Sequence, residues 1–214
     1  MERPDAEDVP YLAVMFIRTN EPIDWSSAQP ISGSEGDSSA AELPAILYSD
    51  TANPSDGPQR FVVVMWTTVH PEELTQGVSL VMAVAGDVAS VETRVYDPLN
   101  AGASPNALKG AKHLVFRAMT PKEGGDEELN KWYEEEHIPM LSKVPTWESA
   151  ARFRLYCAST EKVPKYLALY EWGDVNAASA SPEYKAAVAT PASEKILSAV
   201  TQDERLVLEF LRYL

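Results

Sequence analysis

The chain has 214 residues, 45% of them hydrophobic and 23% charged, and carries a formal net charge of −14. That length supports one large domain or two small ones with a sizeable core, and the acidic balance argues against nucleic-acid backbones and anionic membrane surfaces, which both recruit basic patches. Cys157 is the single cysteine, which excludes an internal disulfide and a cysteine-rich metal centre; no apolar run approaches the ~18–20 residues of a membrane span.

In chain order, residues 1–9 form an acidic tail without the apolar stretch of a signal peptide, so a cytoplasmic location is expected. Residues 10–19, 44–50, 60–68 and 91–97 are strand-like, and Pro71 opens a helical stretch to about Val84. The run Ser32-Gly33-Ser34-Glu35-Gly36-Asp37-Ser38-Ser39 is loop material. The second half reads more cleanly. Residues 112–119 form a strand, and residues 126–143 form a helix opened by Asp126 as N-cap, with Pro139 expected to kink or end it. Residues 147–156 and 165–172 are strands. Ser181-Pro182-Glu183 then opens a second helix, which Pro191 interrupts before 192–200, and 205–213 is the last strand.

This order, β-α-β-β-α-β, is the ferredoxin-like pattern, and the first half repeats it in worn form. The expected fold is therefore α+β, with a degenerate half over 10–99, a linker over 100–110 and a second half over 111–214. A four-stranded sheet with helices on one face leaves its other face bare. Two such sheets covering each other remove that area from water at ~25 cal/mol per Å², which predicts an intramolecular, pseudo-dimeric α+β barrel. The alternative cover is a second chain, and the end strands leave room for pairing as a homodimer.

The most informative stretch is Trp132-Tyr133-Glu134-Glu135-Glu136-His137-Ile138-Pro139. His137 follows Tyr133 by four residues, and Leu129 and Leu141 fall four before and after the pair, so an apolar helical stripe carries an imidazole. A titratable ring on such a stripe needs a partner or a chemical task. With an ordinary pKa near 6.5, His137 is the first candidate for general acid or base. The competing reading is a core histidine bonded to a backbone carbonyl at the helix end.

The run Asn130 to Pro139, followed by Leu141-Ser142-Lys143-Val144-Pro145, resembles EthD-like domains of the dimeric α+β barrel superfamily. Lys165-Tyr166-Leu167-Ala168-Leu169-Tyr170-Glu171-Trp172 looks like a strand of those domains. The likeness covers about 112–214, and the tandem form is similar to two-domain fungal proteins of the group. It implies two ferredoxin-like halves closing into one barrel. The group's chemistry includes polyketide decarboxylation and cyclisation, lactone isomerisation, cofactor-free oxygenation and, in distant relatives, haem enzymes, so the likeness speaks to fold more than to reaction. The first half departs from the pattern: residues 20–43 have no Trp-Tyr…Glu-His run, and Trp25 is a remnant at best, which argues against a second site there.

Alternation sorts the strands. His113, Val115, Arg117 and Met119 share one face of their strand, opposite Leu114, Phe116 and Ala118; the wholly apolar face is expected to meet the helices and the mixed face to line the barrel. Tyr166, Tyr170 and Trp172 fall together, as do Leu206, Leu208, Phe210 and Arg212. The predicted chamber mixes aromatic walls with a few cations and suits an apolar ligand carrying an acid, phenol or enolate. His113 is the second candidate, since Lys112-His113-Leu114 is similar to a strand of a cyclase of this superfamily. Arg117 would anchor an anion or pair with a neighbouring acid, and Tyr170 would donate to an oxyanion. Trp132, Tyr133, Tyr166, Trp172 and Phe210 would contact substrate. Arg152 and Arg154 are assigned to the surface or rim, and His70 to the surface.

No Gly-rich dinucleotide loop, phosphate-binding loop, Gly-x-Ser-x-Gly elbow or His-Glu-x-x-His helix occurs. No cofactor and no metal are expected. The mixed face and the resemblance together point to a cofactor-independent lyase or isomerase of secondary metabolism acting on a polyketide-like or aromatic small molecule. Two alternatives stand beside it: a non-catalytic small-molecule-binding or scaffolding barrel, and a cofactor-free oxygenase of a phenolic substrate.

Overall fold

The computed structural model describes residues 10–22, 25, 45–68, 88–99 and 108–214. The predicted helix from Pro71 to Val84, the loop 32–39, His70 and most of the linker lie outside them. The strands are β1 (Tyr11–Thr19), β2 (Ala45–Asp50), β3 (Arg60–Thr67), β4 (Val88–Pro98), β5 (His113–Pro121), β6 (Trp147–Ala158), β7 (Tyr166–Trp172) and β8 (Val200–Tyr213). Between β5 and β6 run α1 (Asp126–Trp132), a π-helical turn (Tyr133–His137) and α2 (Ile138–Leu141). Between β7 and β8 run α3 (Val175–Ala180), α4 (Pro182–Val188) and α5 (Pro191–Ser198).

The eight strands pair antiparallel into one closed barrel in the order β1-β3-β2-β8-β5-β7-β6-β4. From β4, the order is β4-β1-β3-β2 followed by β8-β5-β7-β6, one permutation used twice, with β2–β8 and β4–β6 as the seams. The protein is a mixed α and β fold around an eight-stranded barrel. Among the described residues, no helix is long and apolar enough to cross a membrane.

One apolar cluster takes alternate residues from all eight strands, among them Val14, Tyr48, Val64, Tyr96, Phe116, Phe153, Leu169 and Leu208. Only the inside of a closed barrel touches every strand, so this cluster is the interior, and an eight-stranded barrel is just wide enough for side chains to fill. A second cluster lies outside it, between the β5-β7-β6 face and the helices, and includes Val115, Met119, Leu129, Trp132, Tyr133, Tyr170 and Trp172.

This reverses the expected sides of β5. Leu114, Phe116 and Ala118 turn into the barrel, and the Val115/Arg117/Met119 face turns to the helices. The reason is desolvation. A filled barrel is the driest place in the molecule, so the wholly apolar face goes there, and the face bearing Arg117 goes where a guanidinium can still reach water. Among the described residues the barrel interior is filled by this apolar cluster, and the expected aromatic-lined chamber is not found inside it. Phe210 points inward beside Tyr48, with ring centroids 6.2 Å apart, and packs as core.

Charged side chains face inward at both ends of the barrel, Arg94 at one and Glu171 at the other among them. Arg94 lies over the Phe16 ring at 4.3 Å and pairs with Glu92 and Glu204. Glu171, fully buried, accepts from the backbone N–H groups of Lys109 (2.9 Å) and Ala111 (3.1 Å) and from the Ser149 hydroxyl (2.7 Å). It fastens the segment leading into β5 across the barrel end, with Leu108 tucked into the interior. Glu171→Gln keeps the shape but places an NH₂ among donors. It should lower stability by about 1–3 kcal/mol, the price of a buried donor left unmet, measured as a shift in urea midpoint with unchanged slope.

Candidate active site

The helical segment opens on three acids, Asp126, Glu127 and Glu128, which complement the positive end of the helix dipole; Gly125, not Asp126, holds the N-cap position. Pro139 does not end the segment at once; the helix runs two residues further to Leu141. A proline inside an α-helix removes one N–H and clashes with the preceding turn. Here the widened turn just before it absorbs both: the Ile138 N–H donates to the Tyr133 carbonyl, five residues back, and α-helical bonding resumes with Ser142 N–H to Ile138. The extra residue also rotates the face. Trp132 and His137, five apart, stack at 4.2 Å and 21°, and Tyr133 meets the same imidazole edge-on at 5.6 Å.

These rings form one wall of a cavity of about 250 Å³ between the helices and the outer face of the barrel. Val115, Arg117 and Met119 of β5 and Tyr170 and Trp172 of β7 form the floor; Tyr184, Val188, Ser193 and Leu197 of α4 and α5 form the far side; Arg205 of β8 closes the rim. The far side depends on two proline-opened helices. Ser181 caps α4 by accepting from the Tyr184 N–H at 3.1 Å, and Thr190 caps α5 by accepting from the Ser193 N–H at 3.0 Å, so Pro191 starts a helix instead of interrupting one. The Thr190 hydroxyl also donates to Glu136, tying this cap to the π-turn.

The charge states follow from burial. His137 is pushed down to about 4 by desolvation, with the Arg117 and Arg152 guanidinium groups pushing the same way and the Ala187 carbonyl opposing them. The imidazole is therefore neutral at pH 7 and is not poised near 6.5. Burial raises the Tyr170 phenol well above its ordinary value and raises that of Tyr133 as well, so both stay protonated. The two phenols interact without closing a hydrogen bond of normal geometry, and Tyr170 Oη, His137 Nδ1 and Trp132 Nε1 are buried without a hydrogen-bond partner in the protein. Among the described residues, no three His, Cys, Asp or Glu side chains gather as a metal site.

Of the residues singled out in the sequence, Trp132, Tyr133, His137, Arg117, Tyr170 and Trp172 come together around the cavity. His113, Tyr166 and Phe210 do not line it. His113 is buried at the start of β5 opposite Trp172 and Glu209, and Tyr166 packs at the other end of β7 beside Lys165. Arg152 is a correction. It is 1% exposed, donates to Asn130 Oδ1 at 2.8 Å, and lies 4.0 Å over the Tyr133 ring, with Nε and Nη1 unpartnered. Its register neighbour on β7 is the small Ala168, which leaves room for a guanidinium beneath α1. Arg154 is half exposed and pairs with Asp97. Sequence reading missed Arg205 and Ser193. Alternation puts Arg205 on the face of β8 that carries Val207, but only the β5–β8 register shows that it stands opposite Arg117.

No family model and no curated protein matches the chain. Solved structures do. An anthrone oxidase-like protein superposes with a TM-score of 0.61 at 11% identity, covering 97% of this chain and 94% of its own. A protein assigned as a chlorite dismutase gives 0.60 at 12%, covering 95% and 96%. One assigned as a monooxygenase from Fusobacterium nucleatum gives 0.56 at 9%, covering 96% and 94%. The neighbours are ferredoxin-like α+β barrel proteins, and at these identities the likeness is one of fold.

Proposed function

We propose that this chain is a cofactor-independent enzyme that decarboxylates, cyclises or isomerises a polyketide-like or aromatic small molecule in the cavity beside His137. In this reading it is a tandem EthD-like protein of secondary metabolism, with ferredoxin-like halves over 10–99 and 111–214 joined by 100–110. One observation carries the proposal. Tyr170 Oη, His137 Nδ1 and Trp132 Nε1 are buried without a hydrogen-bond partner, on three residues that line the same cavity. Buried polar atoms are normally satisfied, and leaving one unmet costs about 1–3 kcal/mol. Three together fit a ligand that brings the missing partners.

The neutral imidazole takes a proton from the substrate and returns it to the carbon or oxygen that becomes protonated in the product, the Tyr170 phenol donates a hydrogen bond to the oxygen on which negative charge develops, and Arg117 offsets that charge through space. Trp132 and Trp172 stack on the ring system. Arg152 does not line the cavity; it holds the Tyr133 ring from behind and is a positioning residue.

Incubation with aromatic β-keto acids, phenolic polyketides and anthrones, followed by product chromatography, tests this. His137→Ala should lower turnover about 10²–10⁴-fold and Tyr170→Phe about 10²–10³-fold; full activity in both variants overturns the mechanism. The names of two neighbours, anthrone oxidase-like and monooxygenase, favour oxygenation of an electron-rich phenol as a second reading. That reaction consumes oxygen stoichiometrically with product, and an oxygen electrode distinguishes it. A protein that binds these compounds and converts none is the non-catalytic carrier.

A further inference from the structure

Charge is distributed unevenly around this cavity. The chain carries a net −14, yet among the described residues the charged side chains lining the cavity are two arginines, Arg117 and Arg205, and no acid. They are direct cross-strand partners in the β5–β8 ladder. Like charges directly opposite one another weaken a sheet, so this pair opposes folding unless an anion sits between them.

The protein supplies half of one. Asp203, two residues before Arg205, accepts from Arg117 Nη2 at 2.6 Å. This ion pair is at the rim, with Asp203 46% exposed and Arg117 21% exposed, where ion pairs contribute little and exchange readily. Arg205 has no carboxylate partner among the described residues and is exposed. The rim therefore carries two guanidinium groups and one carboxylate, a net charge of +1. Inward from it, the wall is Val115, Met119, Tyr133 and Trp172.

We propose that the ligand of this cavity is an aromatic monocarboxylic acid, seated with its ring among Trp132, Tyr170 and Trp172 and its carboxylate clamped at the rim between Arg117 and Arg205. The inference rests on reading the cavity as the small-molecule site, and deepens it by naming the ligand's charge and direction of entry. A guanidinium meets a carboxylate through two parallel N–H bonds. Arg205 offers that fork unengaged, and Arg117 offers it in exchange for Asp203. A single negative charge matches the rim, whereas a phosphate dianion would also face Asp203.

The test uses the full chain, with 2-naphthoate, its neutral analogue 2-naphthamide, and 2-naphthyl phosphate as probes, read by quenching of tryptophan fluorescence. Naphthoate should bind at least tenfold more tightly than naphthamide. Arg205→Met should weaken naphthoate about tenfold and leave naphthamide unchanged. Asp203→Asn, which frees Arg117, should tighten naphthoate severalfold. Thermal melts of both variants confirm folding; Arg205→Met relieves the like-charge pair and should melt slightly higher, and Asp203→Asn leaves that pair uncompensated and should melt slightly lower. Equal affinity for acid and amide, an Arg205→Met effect common to both, or tighter binding of the phosphate overturns the carboxylate clamp and leaves the cavity reading standing. Failure of all three probes to bind overturns the cavity reading itself.

Discussion

Stability should fall by about 3 kcal/mol as the pH is lowered from 6.5 to 4, and His137→Leu should remove most of that fall. In the unfolded chain the imidazole titrates near 6.5; in the folded protein burial, with Arg117 and Arg152 nearby, holds it down to about 4. Between those values the unfolded state binds one more proton than the folded state, so acid favours unfolding, and stability rises with pH across that window. At about 1.36 kcal/mol per unit of displacement, 2.5 units give the expected size. The surface carboxylates held low, Asp126 beside Lys165, Glu128 beside Lys195 and Asp174 at its helix cap, act at lower pH, because their unfolded forms protonate near 4. Urea titrations at half-unit pH steps, for wild type and variant, give the difference directly. Parallel curves for the two proteins would show that the imidazole is charged, or equally hydrated, in both states.

Phe116→Ala should cost about 3–5 kcal/mol, the range for a buried phenylalanine whose cavity cannot collapse. The ring is fully buried inside the barrel and meets Phe16 edge-on at 5.4 Å. Val115→Ala, one residue earlier but on the cavity floor, should cost far less, since that side chain already borders open space. Urea midpoints with unchanged slope measure both. A Phe116→Ala cost near 1 kcal/mol would mean that the barrel interior is hollow after all.

That pair of residues also marks the boundary of what the amino-acid order makes legible. All eight strands are readable, those of the first half as short apolar runs and those of the second from alternation, with ends shifted by up to five residues; the largest shift is in β8, where the stretch 200–204 (VTQDE) looks too polar for a strand. The short helix α3, capped by Asp174 accepting from the Asn176 and Ala177 N–H groups, escaped notice because Ala and Ser dominate it. Which face of β5 is inside was not legible. The contrast between the wholly apolar face and the face bearing His113 and Arg117 is visible in the sequence, but which of them meets the drier side depends on the barrel closing and filling, which is a property of the whole. The burial of Arg152 escaped for a related reason: its place depends on Ala168 across the ladder and Asn130 above it, two partners far apart in the chain. The π-turn was foreshadowed by Pro139, but the stacking of Trp132 on His137 was not, because an i, i+5 contact belongs to neither the 3.6 nor the 2.0 period.

Each of the eight described strands is hydrogen-bonded on both sides. Among the described residues the barrel therefore offers no unpaired row of backbone donors and acceptors, the usual template for strand addition and amyloid-like growth. The expectation that end strands leave room for another molecule has no place to act in the barrel itself. Self-association through the barrel wall must proceed by side-chain packing between outer surfaces, and it will be as sensitive to substitutions at Tyr156, Leu211 or Tyr213, all solvent-facing, as it is indifferent to the main chain.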